Sequence, residues 1–312
     1  MKIVVTGALG HIGSRLIREL PFLLPGCSIV MIDNMMTQRY SSLFNLPEAG
    51  KYRFIEADIT QVDLHPLLEG AYVVIHLAAI TDAVGSFDRE EELEQNNFQA
   101  TKRLAEACAE TGVRLITLSS TSVYGSQADT VDEDCPEEEL KPQSPYATTK
   151  LKEERLVQQL VKEHGLKACT CRFGTIFGIS PGMRFHTAVN KFCWQATMGQ
   201  PITVWSTAYD QKRPYLYLGD AVKALVFIIE KELFSGLIYN VVTTNATVRE
   251  LVDAIRAYIP QLTIQFVDNE IMNQLSYAVS SKRFANEGFT TAGNLTQGIT
   301  DTLNVLQAAN RG

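Results

Sequence analysis

Tyr146 and Lys150 are the residues whose types and spacing most directly suggest chemistry. Four positions apart at the start of a stretch patterned as a helix, they project from one face. A free phenol, with a pKa of about 10, is rarely ionised at neutral pH. An ammonium one turn away favours the phenolate by opposite-charge attraction, and an oxidised nicotinamide adds to that pull. Ser120 closes a stretch patterned as a strand, where its hydroxyl is placed to hydrogen-bond a substrate oxygen beside the phenol. Alone, a Tyr-x-x-x-Lys pair reads equally well as a surface pair. Joined to the strand-end Ser and to a glycine turn and acid elsewhere in the chain, it becomes specific.

A place for that nicotinamide dinucleotide lies at the other end of the chain. Residues 6–13 read Thr-Gly-Ala-Leu-Gly-His-Ile-Gly between a predicted strand and a predicted helix. Gly7 permits a tight turn, Gly10 lets the backbone approach a pyrophosphate, and Gly13 allows close packing of helix on strand. The helix N-terminus offers free N–H groups and a partial positive charge to phosphates. A tight turn without a ligand is the alternative. Strand before, helix after and an acid at the right distance favour the dinucleotide. That acid is Asp33, 20 residues beyond Gly13 at the end of the second predicted strand. Its carboxylate suits the ribose hydroxyls of NAD and repels the 2′-phosphate of NADP. Asp58, after the next strand, is placed for the adenine amino group. His76, inside an apolar run, reads as a packed core histidine.

The elements that must position these groups alternate through the first half. Strands are predicted at 2–6, 28–33, 52–56, 73–77, 114–119 and 167–173, with helices at 12–20, 97–111 and 146–164. Such alternation predicts a parallel sheet with helices on both faces. After Arg172 the rhythm loosens. Gly174, Gly178, Pro181 and Gly182 crowd a loop, followed by a helix near 188–198 and several short strands. Residues 1–171, with a returning segment near 214–241, are expected to form the dinucleotide-binding domain, and 172–312 mainly a substrate lobe. The acidic stretch 131–140 reads as a solvated loop.

Length and composition agree with this plan. The 312 residues, 46% apolar and 20% charged, suit one large or two joined domains and exclude a mainly disordered chain. A net charge of −7 gives no overall field for nucleic acid or an anionic membrane, while a few Arg side chains suffice for a small anion. No apolar run is long enough to span a bilayer, and the opening lacks the pattern of a signal peptide. A cytoplasmic protein is expected. The six Cys have no ligand-like spacing, so reduced, packing thiols and no metal site are expected. Cys169 and Cys171 are expected on opposite sides of a sheet.

Together these residues resemble the extended short-chain dehydrogenase/reductase family, in particular its nucleotide-sugar epimerases and dehydratases. The resemblance spans nearly the whole chain: the glycine turn, Asp33-Asn34, Asp58-Ile59, His76-Leu77-Ala78-Ala79, Asn97 with Thr101, 119–125 (SSTSVYG), 144–150 (SPYATTK), 172–178 (RFGTIFG), 213–220 (RPYLYLGD) and the ending 281–303. It implies a Rossmann-like doubly wound α/β fold with a smaller C-terminal α/β substrate lobe. Ser120, Tyr146 and Lys150 are then the catalytic residues. NAD is held by Gly7, Leu9, Gly10, His11, Ile12, Gly13, Asp33, Asn34, Asp58, Ile59, Leu77, Ala78, Ala79 and Asn97, together with Tyr146 and Lys150. The resemblance also implies a homodimer joined through the helices near 97–111 and 146–164. Leu151, Val157, Leu160 and Val161 offer apolar surface for it, or else for the chain's own sheet.

Departures inside these motifs bear on the reaction. The 4,6-dehydratases of the family carry Asp-Glu directly after the residue matching Ser120. Its decarboxylases carry a Glu, and its 3,5-epimerases a Cys, where Ser122 stands. This chain has Thr121 and Ser122 there. What remains is redox at one carbinol, as in a nucleotide-diphosphate-sugar 4-epimerase: a transient 4-keto sugar and NADH, rotation in a pocket lined by Ser120, Thr121 and Ser122, and return of the hydride to the other face. Arg213 matches the residue that binds the diphosphate, its alternative being a salt bridge to Asp210 or Asp220. Arg184 and Asn190 are further candidates in the substrate lobe. Thr175, where UDP-galactose 4-epimerases commonly carry Asn, resembles the UDP-glucuronate 4-epimerases. Arg184 then faces a sugar carboxylate or, alternatively, solvent. Two other readings stay open: a one-way nucleotide-sugar reductase or dehydrogenase, and a non-catalytic dinucleotide sensor.

Overall fold

Seven stretches, most of them apolar, become seven parallel strands: β1 (Lys2–Thr6), β2 (Ser28–Asp33), β3 (Lys51–Glu56), β4 (Val73–His76), β5 (Arg114–Ser120), β6 (Ala168–Phe173) and β7 (Ser235–Val241). They form one sheet in the order β7-β6-β5-β4-β1-β2-β3. The strand order reverses between β1 and β4, and a doubly wound sheet opens its ligand crevice beyond the C-terminal strand ends at such a point. The computed structural model describes residues 1–81, 90–125, 127, 130–268 and 276–308.

Seven helices matter for the site: α1 (His11–Leu23), α2 (Gln99–Thr111), α3 (Pro145–His164), α4 (Ala188–Thr197), α5 (Leu218–Glu230), α6 (Val248–Arg256) and α7 (Leu295–Ala308). Alternate residues of each strand feed separate cores. Ile3, Val5, Ile29 and Met31 pack with Leu16, Ile17 and Leu20 of α1 and Leu225 and Ile228 of α5. Val4, Val30 and Ile32 pack on the opposite face with Leu104 and Cys108 of α2 and Val157 and Leu160 of α3. Strands covered on both faces are apolar at nearly every position, which is why they read as continuous runs.

Two sequence expectations change and one open choice is decided. Cys169 and Cys171 lie in the same core, since residues two apart in a strand share a face. Val157, Leu160 and Val161 pack against the chain's own sheet, and Leu151 joins a neighbouring cluster with Tyr124 and Tyr277. That stripe is therefore consumed within the chain. Half of the acidic stretch is exposed, but Glu133 reaches back to accept the backbone N–H of Asn240, and Asp134 pairs with Arg283. All six cysteines are free and five are buried.

The second half builds a smaller body on the sheet. Three short strands, Thr175–Phe177, Lys212–Tyr217 and Thr244–Thr247, form one sheet, and Ile202–Trp205 pairs with Ile264–Val267. Helices α4, α6 and α7 share a core of Val189, Phe192, Leu251, Ile255, Ile299 and Leu303. The chain returns to the large sheet through α5 and β7. Among the described residues no helix is long and apolar enough to cross a membrane.

Candidate active site

The glycine turn is shaped by what its neighbours forbid. Gly7 has φ +63°, and a Cβ there would meet the backbone N of Ala78 at 2.6 Å. A Cβ on Gly13 would meet the carbonyl oxygens of Gly7 at 2.5 Å and Ala8 at 2.7 Å, so α1 packs directly on the turn. Gly10 differs. Its Cβ would meet only Gly7 O at 3.3 Å and an Arg39 nitrogen at 3.9 Å, leaving an open side for a ligand. Gly10 is the N-cap of α1 without a side-chain cap, and Ser14 N is the amide that bonds the Gly10 carbonyl. The earlier amides, of His11, Ile12 and Gly13, precede the first i→i−4 bond of the helix, the arrangement that an anion-binding helix start has.

Asp33 ends β2 beside this turn. Its Oδ2 accepts the Leu9 N–H and its Oδ1 the Met35 N–H, both at 3.0 Å, which fix the carboxylate with lone pairs to spare. Asp58 accepts from the Thr60 amide and hydroxyl and faces the Asn34 amide at 3.4 Å. Burial works against its charge, but these hydrogen bonds hold it below the usual carboxylate range. Asp58 lines a polar cavity of about 510 Å³ with Gln95, Asn96 and Arg103. Ile59 is buried, while Leu77, Ala78 and Ala79 are half-buried beyond the end of β4. The turn, the acid at the β2 end and the open side of Gly10 fit an adenine dinucleotide.

Two expected cofactor residues have side chains engaged elsewhere. His11 Nε2 bonds Gly178 O at 2.8 Å, and burial pushes its pKa down to about 4, so the ring is neutral. Asn97 sits in a π-helical turn, Glu94–Phe98, ahead of α2. Its amide bonds both the N–H and the C=O of Ile80 at 2.8 Å. Both residues hold the cleft's walls by their side chains. His76 is the packed histidine expected: its Nδ1 meets Thr6 Oγ1 at 2.7 Å and its Nε2 meets Thr101 Oγ1 at 3.2 Å.

Local sequence places Tyr146 in the first turn of α3. Ser144 caps that helix by accepting the Ala147 N–H at 3.2 Å, and Pro145 takes the first helical position. Gly165, in the left-handed region, ends it. The structure changes the electrostatics expected of the pair. Burial pushes the Tyr146 phenol above its ordinary value and outweighs the opposing pull of Lys150 and Arg184, so the phenol is protonated at neutral pH without a bound dinucleotide. Burial works to lower the Lys150 pKa, but the Glu153 carboxylate, 2.9 Å from Nζ, with Tyr146 and Glu154 adding to it, holds it above its usual value.

At the end of β5, Ser120 Oγ accepts from both the amide (3.1 Å) and the hydroxyl (2.8 Å) of Ser122. Its own hydrogen is left to donate. Thr121 departs from the expected pocket lining: it is 2% exposed, its hydroxyl donating to Phe173 O and accepting from Tyr277. Asn190 is buried too, accepting from Gly178 N and donating to Arg184 O, so it shapes a loop. Arg184 donates to Thr81 and acts electrostatically on both Tyr146 and His11, which brings it to the cleft. Thr175 is half-buried in its short strand. The salt bridges weighed for Arg213 do not form. Asp210 pairs with Arg249, and Asp220 accepts from Thr243, Ala292 and Gly293. Arg213 Nη2 donates to Gln211 at 3.3 Å, while its Nε is buried with no hydrogen bond among the described residues.

Sequence reading missed three features. Gly182 lies over the glycine turn, where a Cβ would meet Leu9 O at 2.3 Å; Gly182 N bonds Ser14 Oγ, and Ser180 Oγ bonds His11 O. The Gly-Pro-Gly crowding was the only signal. Arg172 forms a buried two-pronged bond to Glu154 at 2.7 and 2.9 Å, tying α3 to β6. Glu153, one residue earlier, pairs with Lys150 instead; its spacing from Tyr146 was the available clue.

A parallel α/β sheet with a dinucleotide turn after β1 and a Tyr-x-x-x-Lys helix after β5 defines a nicotinamide-dependent enzyme of the short-chain dehydrogenase/reductase type. The chain belongs to the NAD dependent epimerase/dehydratase family, whose profile matches residues 3–241, and its cofactor is NAD. It is similar to an uncharacterized UDP-glucose epimerase, YtcB, of Bacillus subtilis (33% identical over 77% of this chain and 76% of that protein). It is 30% identical, over 97% of its length, to a trifunctional UDP-glucose 4,6-dehydratase/UDP-4-keto-6-deoxy-D-glucose 3,5-epimerase/UDP-4-keto-L-rhamnose-reductase of Arabidopsis thaliana, spanning 46% of that protein. Among solved structures, the UDP-glucuronic acid 4-epimerase from Bacillus cereus in complex with UDP-glucuronic acid and NAD superimposes with a TM-score of 0.88 at 26% identity, covering 99% of this chain and 100% of that one.

Proposed function

We propose that the protein is an NAD-dependent nucleotide-diphosphate-sugar 4-epimerase acting on a UDP-sugar of the glucose/galactose or glucuronate type. The observation that carries this reading is the poverty of the site beside Tyr146. Thr121 is buried, Ser122 is bonded to Ser120, and neither position supplies a second acid–base group of the kind a dehydratase needs. The likeness to the 4-epimerase structure supports the same choice over the plant dehydratase.

NAD, when bound, supplies the hydride acceptor, then the donor, and a positive charge near the phenol. It would be held by the glycine turn, by Asp33 and by Lys150. Tyr146, as phenolate, takes the proton of the C4 hydroxyl while the C–H bond opposite breaks, and gives the proton back when the carbonyl is reduced from its other face. Ser120 donates a hydrogen bond to the same oxygen throughout. Arg213 grips the diphosphate through its planar fork while the sugar turns. Arg184, close enough to act on Tyr146, meets the carboxylate if the sugar is a glucuronate.

In this reading residues 1–171 with the return near 214–241 hold NAD, and 172–312 mainly hold the sugar nucleotide. The homodimer and the cytoplasmic location expected from the sequence belong to it as well; a monomer mass by light scattering would remove the first. Purified protein mixed with UDP-glucose or UDP-glucuronate and no added cofactor is expected to give the C4 epimer by NMR. Stoichiometric consumption of added reduced cofactor would instead mark a one-way reductase.

A further inference from the structure

Helix α3 carries three groups on one stripe, the half-buried Tyr146 and the buried Lys150 and Glu153, at i, i+4 and i+7. Lys150 Nζ lies 2.9 Å from Glu153 Oε2, with the two side chains 6% and 5% exposed. The other carboxylate oxygen, Oε1, is buried and makes no hydrogen bond among the described residues. The nearby Thr101 hydroxyl on α2 favours the carboxylate without reaching hydrogen-bonding geometry, being engaged by His76. Burying an ion pair is costly, and hydrophobic replacement is often neutral or stabilising, so such a pair is weak evidence for stability. Here the anchoring of α3 to the sheet already belongs to Arg172 and Glu154.

We propose that Glu153 is a positioning residue for the catalytic pair: its carboxylate pins the Lys150 ammonium to one place on the stripe and sets the field on the Tyr146 phenol. This rests on Tyr146 and Lys150 being that pair. A lysine is a compact charge on a flexible four-carbon stem, and a buried carboxylate one turn along removes that freedom. The charges acting on Tyr146 are Lys150 and Arg184, which favour its ionisation, and Glu153, which opposes it. Lys150 in turn faces Tyr146, Glu153, Glu154 and the neutral His76. Glu153 faces Lys150, Glu154 and the Thr101 hydroxyl. With Glu153 neutral, the charge that opposes ionisation of Tyr146 is gone while Glu154 still faces Lys150, and the phenolate forms at lower pH.

The test is Glu153→Gln in the holoenzyme. Tyr146 ionisation is read as phenolate ultraviolet absorbance, by difference from the matching protein that also carries Tyr146→Phe. The midpoint is expected to fall by about one pH unit. The acid limb of kcat should move by the same amount, with kcat lowered and KM little changed. Glu153→Asp keeps the charge but shortens its reach to Lys150; its midpoint should move the same way by less than half as much, and it serves alone if the Gln variant does not fold. Midpoints unmoved in the folded variants, with only thermal stability lowered, would reduce Glu153 to packing and overturn the proposal. The absorbance readout needs no turnover, so a missing shift and missing epimerisation are separate results.

Discussion

At the turn between β1 and α1 the constraints are carried by backbone: Gly7 and Gly13 leave no room for a Cβ, and Asp33 is fixed by two main-chain N–H groups. On α3 they are carried by charged side chains out of water, with Lys150, Glu153, Glu154 and Arg172 all 6% exposed or less. The turn is held by shape. The helix face acts by proton position, so its groups are shielded and balanced against one another. A phosphate site tolerates water at its open side, whereas a proton-transfer site depends on its absence.

The largest expected difference is in catalysis. Tyr146→Phe should lower kcat about a thousandfold, with the denaturation midpoint and NAD binding nearly unchanged, measured by product NMR and by calorimetric titration. Arg172→Met tests the structural pair that ties the same helix to β6. It leaves Glu154 buried without its partner and should cost about 3–5 kcal/mol in urea unfolding.

Acid should come next. Burial depresses the pKa of His11 to about 4 and of His76 to about 3, while both titrate near 6.5 in the unfolded chain. The folded state then binds fewer protons between these values. Stability is fully present above 6.5 and falls as pH drops through the window, by up to about 1.4 kcal/mol per unit for each ring. Unfolding at pH 7 and pH 5 should show this, and His11→Gln should flatten the slope; equal slopes in the two proteins would rule it out.

The turn should respond more gently, and unevenly. Gly13→Ala forces a Cβ against two carbonyl oxygens and should cost about 1–3 kcal/mol. Gly10→Ala should change stability by no more than about 0.5 kcal/mol yet weaken NAD binding, because its open side faces the ligand. A Gly10→Ala protein that binds NAD as tightly as the native one would remove the pyrophosphate from that position.

Strand positions were legible because each needs only its own residues: β1 and β2 fall where the apolar runs predict, and the other four expected strands shift by one residue at an end. The start of α3 was legible for the same reason, since Ser144, Pro145 and the stripe of Tyr146 and Lys150 are all within two turns. Arg213 was not. Setting aside its salt-bridge alternatives required knowing that Asp210 meets Arg249 and Asp220 meets the 292–293 backbone. Thr121 and Asn190 read as pocket residues because small polar side chains carry no mark of which way they face. The apolar positions of α3 could not say whether they meet a second chain or the chain's own sheet.

The amino-acid order alone determined the alternating elements, the glycine turn with its acid, and the phenol–ammonium spacing, because these depend on neighbours a few residues apart. Tertiary structure alone decided that Glu153 meets Lys150 while Glu154 meets Arg172, and that His11 is tied to a carbonyl 167 positions away. It also decided that Tyr146 keeps its proton before the dinucleotide arrives. Desolvation and partner choice are set by everything that packs around a side chain, and most of that comes from distant parts of the chain.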